Sequence, residues 1–566
     1  MPPKFSKELS KATIFSSGLD FQRRTSPCEA FCPAGNPIQK MNELIKEGRL
    51  EEALEYIRAR NPFPGITGRV CNHPCEMHCN RNNYDEGIAI RDLERYVADH
   101  ADMNRVKRPF KSEGSGKKLA VIGSGPAGMT CAYFSVLFGH EVTVFEGSDI
   151  LGGMPREGIP ETRLPRHIVD REVGQVLQMG ITAKVNTVIG RDIDLEEVLK
   201  AYDACLIATG TWKEKNPDVP NDQLATRGVS FLREVNRGRR DPIGERVVIV
   251  GGGGVAFDCA FAARRLGASE IHIVCVEDKE NMVATPEDIL QAEKNGIFLH
   301  NGHMISRVLT ENQKAAGIEF FEVSSHHFEN DGHLSVIPAS EKKKELKADA
   351  VILAVGLEPD LGYVGNRFKR TSKGTLEVDS ATMSTSVSGV FGAGDAVNGP
   401  GTVAAAVGSG RLAAVAIHRY LKMGKPDLNV IINLEEDAVI AFKENGHLPE
   451  PHVVGYDEMF DVEFFEKKQR TLGSIPDSVQ SMNSLEEIDP GFRSSEEAKQ
   501  EAGRCLHCGH CQLCGRCVEH CPGYVLEMTE KGPRVAFPDE CWHCGSCRVN
   551  CPSSCIYYEF PVSMLV

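Results

Sequence analysis

KLAVIGSGPAGMTCAYFSVLFGHEVTVFEG, residues 118–147, runs from an apolar strand through a glycine-rich turn into a helix and on to a second strand that ends at Glu146. Gly123, Gly125 and Gly128 stand at GxGxxG spacing between the first strand and the helix. Such glycines let the backbone turn tightly and approach a pyrophosphate lying at the helix N-terminus, while the acid about 20 residues on accepts from ribose hydroxyls. A bare GxGxxG is weak, because a glycine-rich turn also serves simply to pack a helix on a strand. Here strand, helix and acid are in register, which points to a dinucleotide site.

A second unit of the same kind, RVVIVGGGGVAFDCAFAARRLGASEIHIVCVED, spans residues 246–278 and offers Gly251, Gly253 and Ala256, with Gly254 and Val255 between them. Two nucleotides are implied. The surrounding texture from Lys117 to about Leu421 alternates short Val/Ile-rich strands, Gly-rich turns and helices, the pattern of a wound α/β sheet. The second strand of the second unit ends in Val276, Glu277 and Asp278. An acidic pair there accepts from two ribose hydroxyls and repels a 2′-phosphate, so NAD(H) is expected over NADP(H), with Lys279 next door as the opposing feature.

The chain has 566 residues, enough for several domains, and carries 64 basic against 79 acidic residues, a net charge of -15. No basic block or arm is present, which excludes a nucleic-acid binder. The opening MPPKFSKELSKATIFSSGLD has no apolar signal-type core and no run of about 18 apolar residues occurs, so no membrane insertion is expected and the expected location is the cytoplasm. Twenty cysteines would suggest disulfides in a secreted chain, but fifteen of these lie in tight groups towards the two ends. Grouped thiolates in a cytosolic chain are metal ligands.

Near the C-terminus two CxxCxxCxxxCP runs follow one another: Cys511, Cys514, Cys517, Cys521 and then Cys541, Cys544, Cys547, Cys551. In two-cluster ferredoxins the fourth cysteine of each run ligates the other cluster. This assigns Cys511, Cys514, Cys517 and Cys551 to one 4Fe-4S cluster and Cys541, Cys544, Cys547 and Cys521 to a second. Zinc ribbons also use CxxC pairs, though not in this doubled run. Such a cysteine-dense tail is too small to fold without metal. Cys131, Cys205, Cys259, Cys275 and Cys555 stand alone in apolar contexts and are expected in the core. His326 and His327, in SSHHFENDGH, are expected on a solvated turn.

The two glycine units, followed by Ala208-Thr209-Gly210, Ala354-Val355-Gly356 and Gly392-Ala393-Gly394-Asp395, resemble the two-dinucleotide-domain flavoprotein fold, with the nicotinamide domain inserted in the FAD domain. The N-terminal cysteines of SPCEAFCPAGNPI and GRVCNHPCEMHCNR, together with LGGMPREGIPETRLP and GGGGVAFDCA, resemble the small subunit of glutamate synthase. They are similar also to the N-terminal half of dihydropyrimidine dehydrogenase and to the large subunit of the bifurcating NADH-dependent ferredoxin:NADP oxidoreductase. The resemblance covers residues 20 to 425, and the ferredoxin-like tail is an added module.

The resemblance implies an α/β protein with a helical iron-sulfur domain over residues 1–110, the FAD domain over 111–245 and 361–421, and the NAD(H) domain over 246–360. A linker over 422–500 and an α+β ferredoxin-like domain over 501–566 follow. It implies FAD contacts from Gly123, Gly125, Pro126, Ala127, Gly128, Glu146, Gly153, Met154, Arg163, Thr209, Gly210, Gly394, Asp395, Thr402 and Val403. NAD(H) would meet Gly251, Gly253, Gly254, Val255, Ala256, Glu277, Asp278, Val355 and Gly356. In the N-terminal domain the family holds two further 4Fe-4S clusters. Cys32, Cys71 and Cys75 match three ligands of the one nearer the flavin, and Glu94 matches the Gln or Glu that completes it.

Cys28 and Cys79 match half of the other cluster, but the leading RCLxC of the family is absent before Cys28. The words EAGRCLHCG, with Cys505 and Cys508, supply it at the far end of the chain. The expectation is that Cys505 and Cys508 fold back, within one chain or across a homodimer, to complete a fourth cluster. The alternative is a free or zinc-binding pair, and three clusters in all.

A nicotinamide gives up a hydride and a cluster takes one electron at a time, and a flavin bridges that mismatch. The expected function is therefore an NAD(P)H oxidoreductase that moves electrons through FAD and 4Fe-4S clusters to or from a catalytic partner subunit or ferredoxin. A bifurcating subunit, a glutamate synthase small subunit and a noncatalytic iron-sulfur scaffold are the alternatives. Residues 501–566 carry seven acidic and five basic side chains, so a docked complex is expected rather than long-range charge steering.

Overall fold

A computed structural model of the chain describes residues 24–329, 334–424, 430–433, 439–442, 452–471, 487, 491–492, 494–530, 532–537, 540–542 and 544–556. The N-terminal domain is helical. Helices α1 (Ile38–Glu47), α2 (Leu50–Arg58) and α4 (Ile90–His100) bury Met41, Leu44, Leu54, Ile57, Leu93 and Val97 against one another, while α3 (Pro64–Val70) turns Ile66 into the core of the unit that follows. These apolar residues recur at helical spacing, so each helix turns one stripe inward.

The first glycine unit forms strand β1 (Lys118–Ile122), helix α5 (Pro126–Leu137) and strand β2 (Glu141–Phe145). Strands β3 (Thr182–Lys184), β4 (Ala204–Ile207) and, far along the chain, Val390–Gly392 complete a five-stranded parallel sheet in which β1 is central, flanked by β2 and β4. Helix α6 (Arg166–Leu177) lies between this unit and the N-terminal domain: Glu172 accepts from the backbone N–H groups of Gly65 (2.7 Å) and Ile66 (3.0 Å) at the start of α3.

The second parallel sheet begins earlier than the boundary expected at residue 246. Its edge strand is β5 (Thr226–Arg227), followed by β6 (Arg246–Val250), β7 (Glu270–Val274) and β8 (Phe298–His300), and strand Ala350–Leu353 sits between β5 and β6. Phe231 and Leu232, just after β5, are buried in the same core as Ile249 and Ile273. Helix α7 (Gly254–Arg265) follows β6, and helix α8 (Pro286–Lys294) follows β7. An antiparallel sheet of β9 (His303–Glu311), β10 (Lys314–Phe328) and β11 (Leu334–Lys347) is appended. His326 and His327 lie on β10 rather than on a turn, and His327 pairs with Glu329 at 2.9 Å. The long helix α9 (Val403–Met423) closes the first sheet and packs on α5.

Much of what is described of the segment expected as a linker is bound to the N-terminal domain. Residues 430–433 and 439–442 pair as an antiparallel hairpin, while GSIPDSVQSMNSLEEIDP lies almost wholly outside the described residues. His452–Val453 pairs in parallel with Arg24–Thr25, and helix α10 (Ser495–Ala502) packs against α1. Two fully buried arginines hold this strap: Arg81 binds Asp85 (2.7 Å) and the carbonyl of Arg504, and Arg504 binds Glu501 (2.7 Å) and Asp85 (3.3 Å). Glu501 is itself wholly buried and accepts from the N–H groups of Ala89 (2.9 Å) and Thr471 (2.8 Å). Every buried charge in the network has an opposite charge and further hydrogen bonds, the condition under which burial of ions is tolerated.

The tail carries a β-hairpin, Leu526–Thr529 with Gly532–Val535, and two single-turn helices, Arg516–Glu519 and Ser546–Val549, each set between the cysteines of one run. Its small core is lined largely by cysteines. Among the described residues no helix is long and apolar enough to cross a membrane.

Candidate functional site: a dinucleotide cavity and four thiol sets

A cavity of about 280 Å³ opens at the C-terminal ends of β1 and β4. Gly123, Gly125, Pro126, Ala127, Glu146, Gly153, Met154, Thr209, Gly210, Gly394, Asp395, Thr402 and Val403, all expected contacts, line it. The three glycines of the turn differ in what surrounds them. A Cβ on Gly128 would lie 2.0 Å from the Gly123 carbonyl oxygen, so Gly128 lets α5 pack against the turn. A Cβ on Gly125 would meet nothing within 4 Å, so that backbone faces open space, as close approach of a pyrophosphate requires. Glu146 accepts from the Ser124 N–H (3.0 Å), its hydroxyl (2.6 Å) and the Ser148 N–H (2.8 Å), which aims its carboxylate at the turn. The residues fit FAD.

Arg163 does not line this cavity. Its guanidinium pairs with Asp258 on α7 (3.0 Å) and Asp288 on α8 (2.6 Å), tying the loop of the first unit to the second. Gly128 likewise stands behind the cavity wall. Trp212 and Tyr363 do line it, and were not anticipated; the Tyr363 hydroxyl lies 3.3 Å from that of Thr209. Trp212, one of two tryptophans in the chain and two residues beyond the Thr209-Gly210 strand end, was the available signal.

In the second unit a Cβ on Gly251 would lie 2.3 Å from the Ala354 carbonyl oxygen, whereas Gly253 and Gly254 face open space, so this turn also fits a pyrophosphate. Val255 and Ala256 continue into α7, and Val355 and Gly356 follow the strand paired with β6. The Glu277 carboxylate turns back onto the glycine turn, 2.6 Å from where a Cβ on Gly252 would stand. Asp278 is exposed, and Lys279 is engaged by Glu293 at 2.5 Å.

All twenty cysteines are free of disulfides. Burial raises the pKa of the Cys32, Cys71 and Cys75 thiols, and the Glu94 carboxylate near them raises each further. Glu94 is buried; its Oε1 accepts from Asn61 (3.0 Å) and from the Thr67 hydroxyl, and burial pushes its pKa up to about 7. A second set, Cys28, Cys79, Cys505 and Cys508, surrounds one small cavity together with Asn42 and Ile90, all four thiols coming from the same chain. Burial raises the pKa of each of them. Gln39 donates to the Cys508 carbonyl at 2.5 Å and locks the returning segment in place.

In the tail, Cys514 and Cys517 feel Cys511 and Cys551, while Cys521, Cys541, Cys544 and Cys547 line another small cavity. The crossed assignment of the fourth cysteines is the one that these neighbourhoods fit. Cys131, Cys205, Cys259, Cys275 and Cys555 are all buried in the core as expected, but Cys555 does not stand alone: its Sγ lies 3.3 Å from that of Cys551. Among the described residues no three His, Cys, Asp or Glu side chains are arranged around a single metal ion. Two of the sets, Cys28 with Cys79, Cys505 and Cys508, and Cys521 with Cys541, Cys544 and Cys547, instead line cavities, a donor arrangement that fits polynuclear clusters with thiolate ligands.

The sets succeed one another. Helix α9 starts at the dinucleotide cavity, and by Gly408, about 8 Å along its axis, it meets the Cys32–Gly35 loop, where a Cβ on Gly408 would be 2.0 Å from the Pro33 carbonyl oxygen. Cys28 and Cys32, like Cys75 and Cys79, are one turn apart and belong to neighbouring sets. Cys508 and Cys511 are three residues apart, so their Cα atoms are separated by at most about 11 Å.

The family model of pyridine nucleotide-disulphide oxidoreductases matches residues 117–410. The model of dihydropyrimidine dehydrogenase domain II, a 4Fe-4S domain, matches residues 21–106, and that of the 4Fe-4S dicluster domain matches residues 510–555. The NADP(+)-dependent formate dehydrogenase subunit beta of Moorella thermoacetica is 34% identical over 512 residues, 86% of this chain and 70% of that protein. The NADPH-Fe(3+) oxidoreductase subunit beta of Geobacter sulfurreducens is 32% identical over 517 residues, 86% of this chain and 75% of that one. The glutamate synthase [NADPH] small chain of Azospirillum brasilense is 33% identical over 417 residues, 70% of this chain and 86% of that protein.

Proposed function

The chain belongs to the pyridine nucleotide-disulphide oxidoreductase family and is an FAD- and iron-sulfur-dependent NAD(P)H oxidoreductase, and from that premise we propose that it is the electron-transfer subunit of a larger redox complex, working with NADH and four 4Fe-4S clusters. What carries this is the succession of the dinucleotide cavity and the thiol sets along shared elements, which leaves only short intervals between one site and the next. FAD, when bound, exchanges a hydride with nicotinamide and single electrons with clusters. The chain's own residues bind and orient. Gly123 and Gly125 bare the backbone to the FAD pyrophosphate, Glu146 orients the turn, and Asn61 and Thr67 fix the Glu94 carboxylate beside Cys32, Cys71 and Cys75. Cys28, Cys79, Cys505 and Cys508 make the link to the tail, and the tail meets the partner. The beta-subunit relatives are named as parts of complexes, which supports a catalytic partner subunit.

Two relatives are named for NADP or NADPH, yet NADH is the better fit to this chain. A 2′-phosphate brought to the end of β7 meets Glu277 and Asp278, and Lys279, the cation next to them in sequence, is already paired. Replacing Val276 and Glu277 together with arginine is expected to shift the preference in kcat/KM towards NADPH; steady-state assays with both nucleotides measure it, and unchanged selectivity sinks the assignment of the ribose site. The whole proposal is tested by mixing anaerobically prepared protein with NADH. Flavin absorbance near 450 nm is expected to bleach, with cluster signals appearing in electron paramagnetic resonance (EPR) spectra; protein holding zinc in place of iron, or a flavin that NADH leaves oxidised, overturns it.

A further inference from the structure

The two cysteine runs of the tail differ at one buried position. Four residues after the last cysteine of the first run stands Val525, and four after that of the second stands Cys555. Because the last cysteines cross over, Val525 lines the cavity of Cys521, Cys541, Cys544 and Cys547, whereas Cys555 lies against the set of Cys511, Cys514, Cys517 and Cys551. Both are buried, at 2% and 4% exposure, in the same small core. They are counterparts, one an aliphatic group and the other a thiol.

The Cys555 thiol is within hydrogen-bond reach of Cys551, at 3.3 Å, with Cys511 also close enough to act on it. A thiolate bound to iron has no proton to give, so in the loaded protein Cys555 is the donor of this pair. Ser553, the other side chain near Cys551 at 3.9 Å, spends its one proton on the His510 carbonyl at 2.7 Å. The Val525 side chain offers the other set no donor.

Resting on the cluster assignment under Proposed function, we propose that Cys555 is a positioning residue that sets the two tail clusters apart in potential. Its S–H bond to the Cys551 sulfur favours the more negative, reduced form of the first cluster, the one held by Cys511, Cys514, Cys517 and Cys551, and puts its potential above that of the second. In the transfer between them one electron leaves the second cluster and one enters the first, while Cys555 keeps its proton throughout. The step is therefore downhill inward, towards Cys508 and the N-terminal domain, so electrons delivered to the outer cluster are drawn towards the flavin.

The test is an EPR redox titration of the full chain, with iron and sulfide analysis, for the natural protein, Cys555→Val, Cys555→Ser and the reciprocal Val525→Cys. Cys555→Val is expected to keep its iron and to lower the potential of one tail cluster only. The expected size is about a three- to tenfold change in electron sharing between the pair, ~30–60 mV at 59 mV per decade. Cys555→Ser, which keeps a donor, is expected to recover part of the shift, and Val525→Cys to raise the other cluster. Full iron with unmoved potentials in both Cys555→Val and Val525→Cys overturns the proposal, as does an equal shift of both clusters or loss of iron from Cys555→Val alone. A natural protein whose tail holds no iron sinks the cluster assignment itself instead.

Discussion

Replacing Cys505 and Cys508 together with alanine is expected to remove about four irons per chain while leaving the reaction of the flavin with NADH intact. Cys28 and Cys79 alone offer two thiols, too few for a cluster. The variant should still fold, because the segment carrying Cys505 and Cys508 is held by other groups: Arg504 with Glu501 and Asp85, Arg81 with the Arg504 carbonyl, and Gln39 with the Cys508 carbonyl. The clusters of the tail should remain, yet their reduction by NADH should slow severely, since the path through Cys508 to Cys511 is gone. Iron analysis and rapid-freeze EPR measure the two effects. An unchanged iron count means that the pair binds no cluster, and unchanged reduction of the tail means that electrons take another route.

A valine at Gly128 is expected to abolish flavin binding. Its Cβ alone would stand 2.0 Å from the Gly123 carbonyl oxygen and 3.2 Å from Val121, so α5 has to move off the turn that carries Gly123 and Gly125. Overpacking of this kind costs about 1–3 kcal/mol, and the displaced turn no longer presents its backbone to a pyrophosphate. Gly125→Ala makes the informative contrast: its methyl meets no protein atom within 4 Å, so stability should hold while flavin affinity falls, because the methyl enters the space that the cofactor needs. Absorbance at 450 nm per chain, alongside thermal unfolding, separates the two. A Gly128→Val protein that remains yellow contradicts the role given to this turn.

The wound sheets, the glycine turns and the doubled cysteine run are legible in the sequence because each is a local pattern: strand, turn, helix and acid lie within 30 residues, and ligand spacing is fixed by the covalent chain. The same holds for Glu277, whose position at the end of β7 follows from the register of the second unit. Long-range choices were not legible in this way. Nothing in GIPETRLP says that Arg163 turns away from the flavin cavity to pair with Asp258 and Asp288, since its partners lie about 95 and 125 residues away. The strand Thr226–Arg227 is too short for any alternation to mark it, and only pairing with Ala350–Leu353 defines it as part of the second sheet.

Cys505 and Cys508 stand between these cases. Their resemblance to a missing leader was written in EAGRCLHCG, but whether they return within one chain was not, because sequence carries no distance between residues more than 400 apart. Tertiary structure decides it through the buried charges of Arg81, Asp85, Glu501 and Arg504, which cannot be left unpaired away from water and so bring the strap onto the N-terminal helices. The amino-acid order alone determined which chemistry the chain can hold; the folded packing determined which thiols share a cavity, and that Cys555, expected in the core and buried there, also lies against the Cys551 thiol.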